Sequence, residues 1–165
     1  MAAALVRQTL RKIMTSGSSE HFIIRQATPE DLGVIKHLAD QHKKELGFVL
    51  RPALEKAITD QELLVAQVED QVVGFVHYHH RRDGQTTLYH IVVDTNFRSQ
   101  GIGKALVDAL TLEAKRHGKR QILLKCPVDL AANSFYQRIG FSLLRDEEGN
   151  RRRLRVWGTQ VSDST

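Results

Sequence analysis

The sequence predicts an α/β domain in which a mixed sheet is covered by helices, and three observations carry that prediction. From His21 onward, short runs rich in β-formers alternate with segments of helical spacing, with no internal repeat and no low-complexity tract. Asp83-Gly84 is a tight-turn signal between two β-rich runs, so consecutive antiparallel strands are expected. Finally, the apolar run Ile91-Val92-Val93 leads through a glycine-bearing loop straight into an amphipathic helix.

Taken in order, His21 to Gln26 reads as a first strand. Thr28-Pro29-Glu30-Asp31 supplies an N-cap, a proline in the first turn and two acids, which starts one helix running to about Leu46. A second short helix follows Pro52. Glu62 to Val68 and Val72 to His80 form a hairpin around Glu69-Asp70-Gln71, and Asp83-Gly84 leads into Thr86 to Val93, giving three antiparallel strands. Ala105 to His117 places Ala105, Leu106, Ala109, Leu110, Leu112 and Ala114 at roughly helical spacing, with Gly118 as the stop. Ile122 to Cys126 is a buried strand, a helix covers about Leu130 to Arg138, and strands near Phe141 to Arg145 and Arg152 to Thr159 flank Glu148-Gly149-Asn150.

With 165 residues and 41% hydrophobic content, the chain has the size of one domain with a single core, placed at residues 21–160. Residues 1–20 read as an N-terminal extension, helical or flexible. Its three basic residues, its Ser and Ala content and the absence of acids before Glu20 resemble a mitochondrial presequence, although a cytoplasmic location is the primary expectation. No apolar run approaches the ~20 residues that cross a bilayer, so no membrane partner is expected. The single cysteine, Cys126, rules out an internal disulfide, and its apolar neighbours make it a small hydrophobe rather than a nucleophile. The net charge of +5 favours anionic partners in general, but the basic residues are dispersed without interleaved aromatics, so nucleic acid is not the expected partner.

The loop after Val93 has the physics of a pyrophosphate cradle. A strand that turns through glycines into a helix aims backbone N–H groups and the positive end of the helix dipole at one spot, and Gly101 and Gly103 take away Cβ atoms that would hold an anion off. Two better-known phosphate loops fail here. A Walker loop needs glycine at position 98 and Ser or Thr at 105, where Arg98 and Ala105 stand; a dinucleotide fingerprint needs glycine at 106, where Leu106 stands. What remains, Arg98-x-x-Gly101-x-Gly103, resembles the acyl-CoA loop of the GCN5-related N-acetyltransferase (GNAT) family.

A second segment, Asn133-Ser134-Phe135-Tyr136-Gln137-Arg138-Ile139-Gly140-Phe141, resembles that family's other hallmark, a short helix ending in Phe-Tyr-x-x-x-Gly-Phe. The resemblance runs from about His21 to Thr159. It implies the GNAT fold, a mixed, mostly antiparallel sheet of about six to seven strands flanked by about four helices. It implies acetyl-CoA as co-substrate, with the pantetheine arm on the backbone of Ile91, Val92 and Val93 and the pyrophosphate on Arg98, Ser99, Gln100, Gly101, Ile102, Gly103 and Lys104. It also allows a homodimer. Many relatives carry an asparagine seven residues before the tyrosine, where this chain has Asp129; Asn133 lies three before it, and either side chain is a candidate for contact with the pantetheine or the amine.

By the same resemblance Tyr136 is the general acid, a phenol protonated at neutral pH that can hydrogen-bond or donate to the departing thiolate. The general base is less direct. The strand Thr87 to Asp94 looks like that of ribosomal-protein alanine N-acetyltransferases, but their glutamate is replaced by Gln85, which cannot take a proton. If Asp83-Gly84 makes a two-residue turn, Arg82 pairs with Gln85 and His77 falls opposite His90, with Phe75 opposite Val92. The two imidazoles then become candidates to accept or relay a proton, with polar filling of a half-buried strand as the plainer reading. Two histidines without a carboxylate or cysteine make a poor metal site, and no metal is expected. Arg151-Arg152-Arg153 with Arg155 reads either as a solvated basic turn or as an attractor of an acidic peptide or phosphorylated amine. The expected activity is direct transfer of an acetyl group to a primary amine, either a protein N-terminus or lysine or a small amine, in a ternary complex. The alternative is a non-catalytic acyl-CoA-binding module acting through a protein or RNA partner.

Overall fold

The computed structural model describes residues 21–161; the N-terminal extension read from residues 1–20 lies outside the described residues. The strands are β1 (Phe22–Gln26), β2 (Leu63–Val68), β3 (Gln71–His80), β4 (Gln85–Val93), β5 (Gln121–Pro127), β6 (Ser142–Glu148) and β7 (Arg153–Gln160). The α-helices are α1 (Leu32–Gln41), α2 (Lys43–Leu46), α3 (Arg51–Thr59), α4 (Ile102–Arg116) and α5 (Ala132–Arg138). The sheet is seven-stranded in the order β1-β2-β3-β4-β5-β7-β6. It is mixed because β4 and β5 run parallel, while β1 with β2, β2 with β3, β5 with β7 and β6 with β7 run antiparallel.

Contacts divide the chain into two units. The first holds β1, β2, β3 through Tyr78, β4 from His90, α1 to α3, and α4 as far as Leu110. Its core joins Ile35, Leu38 and Ala39 of α1 and Leu54, Ala57 and Ile58 of α3 to Leu63, Val65, Val72, Phe75 and Val92 of the sheet. Each such large side chain removed from water contributes on the order of 1.5–3 kcal/mol. Gly74 permits a close approach inside this unit: a Cβ there would stand 2.7 Å from the Val92 carbonyl oxygen and 3.6 Å from Leu106 Cδ1. The helical start at Thr28 forms as its sequence predicts, with the Thr28 N–H donating to Asp31 Oδ2 at 2.7 Å and Arg25 gripping the same carboxylate through two nitrogens. Burial alone would push the Asp31 pKa up, but the Arg25 and Thr28 bonds outweigh it and hold the carboxyl below its ordinary value.

The single helix expected from Thr28 to Leu46 is instead a 3-10 turn at Pro29–Asp31 followed by α1 and α2, with a break at His42. The cause is local. The His42 ring nitrogen Nδ1 donates to the Leu38 carbonyl at 2.9 Å, the acceptor that a continuing helix would give to the His42 backbone N–H, and that N–H turns to Ala39 O instead.

The second unit holds His79 to Tyr89, α4 from Thr111, β5, α5, β6 and β7. Here β5 pairs with β7 along its whole length, Gln121 opposite Gln160 through Pro127 opposite Leu154, whereas its parallel ladder with β4 covers only Gln85–Thr87 against Gln121–Leu123. The turn before β4 differs from the two-residue expectation. The Arg81 N–H donates to the Gln85 carbonyl, which closes three residues, 82–84. Leu112, expected on the apolar stripe of the helix, is 58% exposed. It follows Leu110 by two residues, about 200° around the helix, so it faces away from the stripe that Leu106, Leu110 and Ala114 bury.

Candidate active site

In the first unit the β4–α4 connection uses its two glycines differently. Gly101 has φ +82° and nothing within 4 Å of where its Cβ would be, so the cradle lies open on the side a side chain would fill. Ser99 just before it is also left-handed at φ +64°. Gly103, by contrast, is an ordinary residue of α4, and its contribution is the missing side chain rather than an unusual backbone angle. The helical ladder begins with the Ala105 N–H donating to the Gly101 carbonyl, so the N–H groups of Ile102, Gly103 and Lys104 belong to the first turn, where a helix has no internal acceptors for them. A field of that kind draws an anion.

The side chains of this loop are engaged elsewhere. Ile102 is 1% exposed and belongs to the core, Lys104 pairs with Asp108 at 2.9 Å, and the Arg98 Nε donates to the Val93 carbonyl at 3.1 Å. Gln100 Oε1 is buried and accepts no hydrogen bond among the described residues. On β4, Val92 is buried in the core and Ile91 and Val93 are half-buried.

His77 and His90 meet as their strand positions predict, with Nδ1 atoms 3.3 Å apart and stacked rings 5.5 Å between centroids. The Asp94 N–H donates to Val73 O, in the same register as this pair, whereas the Arg81–Gln85 bond is one residue out of it. The strand β4 therefore takes up one extra residue between Gln85 and His90, and the wider turn does not disturb the histidines. Burial pushes the His90 pKa below its ordinary value, so its ring is neutral at pH 7. Gln85 lies at the opposite end of β4, its N–H on Asp83 Oδ1 at 3.0 Å.

The His90 shift fixes a sign for pH dependence. The unfolded ring titrates near ~6.5 and the folded ring lower, so between those values the unfolded chain binds a proton that the folded chain does not. The stability present above pH ~6.5 is lost as pH falls toward the folded value. Denaturant midpoints from pH 7.5 to 5 should drop more steeply for the wild type than for His90→Gln; parallel profiles would contradict the assignment.

In the second unit Tyr136 is 6% exposed on α5, its ring 5.5 Å from that of Phe135 and 5.9 Å from that of Phe141. Burial, with a smaller contribution from Cys126, pushes its phenol above the ordinary value. The Cys126 thiol is itself pushed up to about 11, chiefly by burial, so it stays protonated and packs as a small hydrophobe.

Asn133, a candidate for contact with the pantetheine or the amine, is hydrogen-bonded within the second unit. Its Nδ2 donates to the carbonyls of Pro127 and Leu130, both at 2.8 Å, and its Oδ1 accepts from Trp157 Nε1 at 2.9 Å. Both amide hydrogens are thereby used, and the residue locks α5 to β7 and to the loop after β5. Asp129 is exposed and lies 3.7 Å from Arg152. Asn133→Ala should cost about 2–3 kcal/mol of stability, because a buried indole N–H and two carbonyls lose their partner together, measured as a shift in denaturant midpoint. No change would mean water replaces the amide freely. The tie could have been suspected from the sequence, since the one tryptophan of the chain sits in a β-run and a buried indole N–H needs an acceptor.

Residues 59–143, more than half of the chain, match the family model described as an acetyltransferase (GNAT) domain. The chain belongs to the GNAT acetyltransferase family. Human N-acetyltransferase 8 is 35% identical to it over 83 residues, which is 47% of this chain and 37% of that protein, so the chain spans well under two thirds of this curated relative. Among solved GNAT-like structures, Ard1 from Thermoplasma volcanium superposes with a TM-score of 0.77 at 20% identity, covering 86% of this chain and 99% of that one. Rv2747 from Mycobacterium tuberculosis, in complex with CoA, gives a TM-score of 0.67 at 26% identity over 78% of this chain and 76% of that one. The seven-stranded mixed sheet with its helices is thus the GNAT fold.

Proposed function

We propose that the protein is an acetyl-CoA-dependent N-acetyltransferase that passes the acetyl group directly to a primary amine in a ternary complex. The observation that carries this reading is the open cradle at Gly101, a left-handed glycine at the start of a fifteen-residue helix, in a chain of the GNAT family. Relatives whose structures contain CoA support the choice of co-substrate. In this reading the backbone of Ile91 and Val93 pairs with the pantetheine arm, and the N–H groups from Arg98 to Lys104 receive the pyrophosphate. Arg98 is then drawn off the Val93 carbonyl.

The chemistry needs one proton removed from the attacking amine and one delivered to sulfur as the C–N bond forms and the C–S bond breaks. His90, neutral and hydrogen-bonding with His77, accepts the first. Tyr136 serves the second, and its shifted phenol defines how. A phenol at or above ~10 protonating a thiolate of ~8.5 outright is uphill by about 2 kcal/mol, so the hydroxyl acts by hydrogen-bonding the sulfur while charge develops, with proton transfer completed as the amine loses its own.

The test is release of free thiol from acetyl-CoA by the full chain against a panel of amino acids, polyamines and short peptides. Amine-dependent release with stoichiometric acetylamide supports the reading. Tight acetyl-CoA binding without release to any amine would leave a binding module, and absence of binding would leave only the fold.

A further inference from the structure

We propose that the amine acceptor carries a carboxylate, and that Arg155 on β7 is the side chain that receives it. The inference rests on the acetyltransferase reading and names the substrate class of that site. Its basis is a guanidinium on the sheet face that α5 covers, with a shielded donor left over.

Arg155 lies opposite Cys126 in the β5–β7 ladder, and two residues on is Trp157, whose indole is bound to Asn133 of α5. Side chains opposite one another in an antiparallel pair share a face, and so do residues two apart on a strand. Arg155, Cys126 and Trp157 are therefore on the face that α5 covers. On α5 itself Tyr136 follows Asn133 by three residues, on the same buried side. Charge effects run through the same residues: the Arg155 charge favours the Cys126 thiolate, and Cys126 in turn acts on Tyr136.

Two of the neighbouring arginines have acidic partners. Arg152 is 3.7 Å from Asp129, and Arg153 is 3.5 Å from Asp146, which is the residue directly across the ladder from Arg155. Arg155 is half-buried, and its Nε is closed off from water without a hydrogen-bond acceptor among the described residues. A guanidinium cannot shed its charge, and a buried donor without a partner costs on the order of 1–3 kcal/mol. A group with two coplanar oxygens matches the terminal nitrogens of the fork, and one cation suits a singly charged carboxylate better than a phosphate. An amine with a carboxylate a few bonds away would then present its nitrogen near Tyr136 while its charge rests on Arg155.

The experiment compares each amino acid with its C-terminal amide as acceptor, for the wild type, Arg155→Gln and Arg155→Lys. The expected result is a preference of tenfold or more in kcat/KM for the free acids in the wild type, lost in Arg155→Gln through KM and partly kept in Arg155→Lys. Acetylation of amides as well as acids by the wild type, or a preference that survives Arg155→Gln, overturns the proposal. Calorimetric titration of the best free acid, with and without CoA, is run on wild type and Arg155→Gln in parallel. Binding that vanishes with the arginine supports the assignment even where turnover fails, and an acid that does not bind the wild type overturns it. Acetylation confined to phosphorylated amines also overturns it. Failure of every amine together with failure of acetyl-CoA to bind counts against the acetyltransferase reading instead. Should Arg155→Gln not fold, the acid-to-amide ratio of the wild type and its weakening by added acetate carry the decision.

Discussion

Gly101→Val is expected to weaken acetyl-CoA binding by about 10- to 100-fold while the protein stays folded. A residue with a Cβ held at φ +82° costs on the order of 1–3 kcal/mol, and a β-branched one falls at the upper end. Among the described residues nothing beyond the adjoining residues lies within 4 Å of the new Cβ, so no clash in the core accompanies it and the exposed loop can relax to a negative φ. That relaxation rotates the neighbouring peptide and turns its N–H away from the cradle, which is why the cost appears in binding rather than in folding. Gly101→Ala should give a smaller loss of the same kind. Calorimetric titration decides it: equal affinity for the glycine and valine proteins would mean that the pyrophosphate lies elsewhere.

Tyr136→Phe is expected to lower kcat by about 10²- to 10⁴-fold with acetyl-CoA affinity nearly intact, the range lost when a positioned acid is removed. The substitution keeps the ring that packs beside Phe135 and Phe141 and deletes only the hydroxyl, so stability should move little. The comparison is made by initial rates at saturating acetyl-CoA alongside a binding titration. Wild-type turnover in the variant would remove Tyr136 from the chemistry, and a loss confined to affinity would make it a cofactor contact.

The order of strands and helices was legible because it depends on local signals: period, caps and glycine stops. The meeting of His77 and His90 was legible for a further reason. Register propagates along a hairpin, and the extra residue that the wider turn introduces is taken up before His90 is reached. The break at His42 was hidden because a ring nitrogen competing for a carbonyl one turn back leaves no mark on hydrophobic periodicity. The tie that Asn133 makes was hidden for a different cause. Its neighbours in sequence belong to a motif, but its partner Trp157 is 24 residues away and is brought to it only by the β5–β7 pairing. In the same way four arginines in five positions look alike as letters, and only the ladder separates the two with acidic partners from the one with a shielded nitrogen.

The bond between Trp157 and Asn133 also makes the molecule its own optical reporter. Emission from an indole depends on how dry its surroundings are and on whether its N–H is held, and this chain has one tryptophan, 4% exposed, with that N–H on α5. Every photon of tryptophan fluorescence therefore comes from the seam between the helix that carries Tyr136 and the strand that carries Arg155, and loosening of that seam during a melt or a titration is recorded without a label.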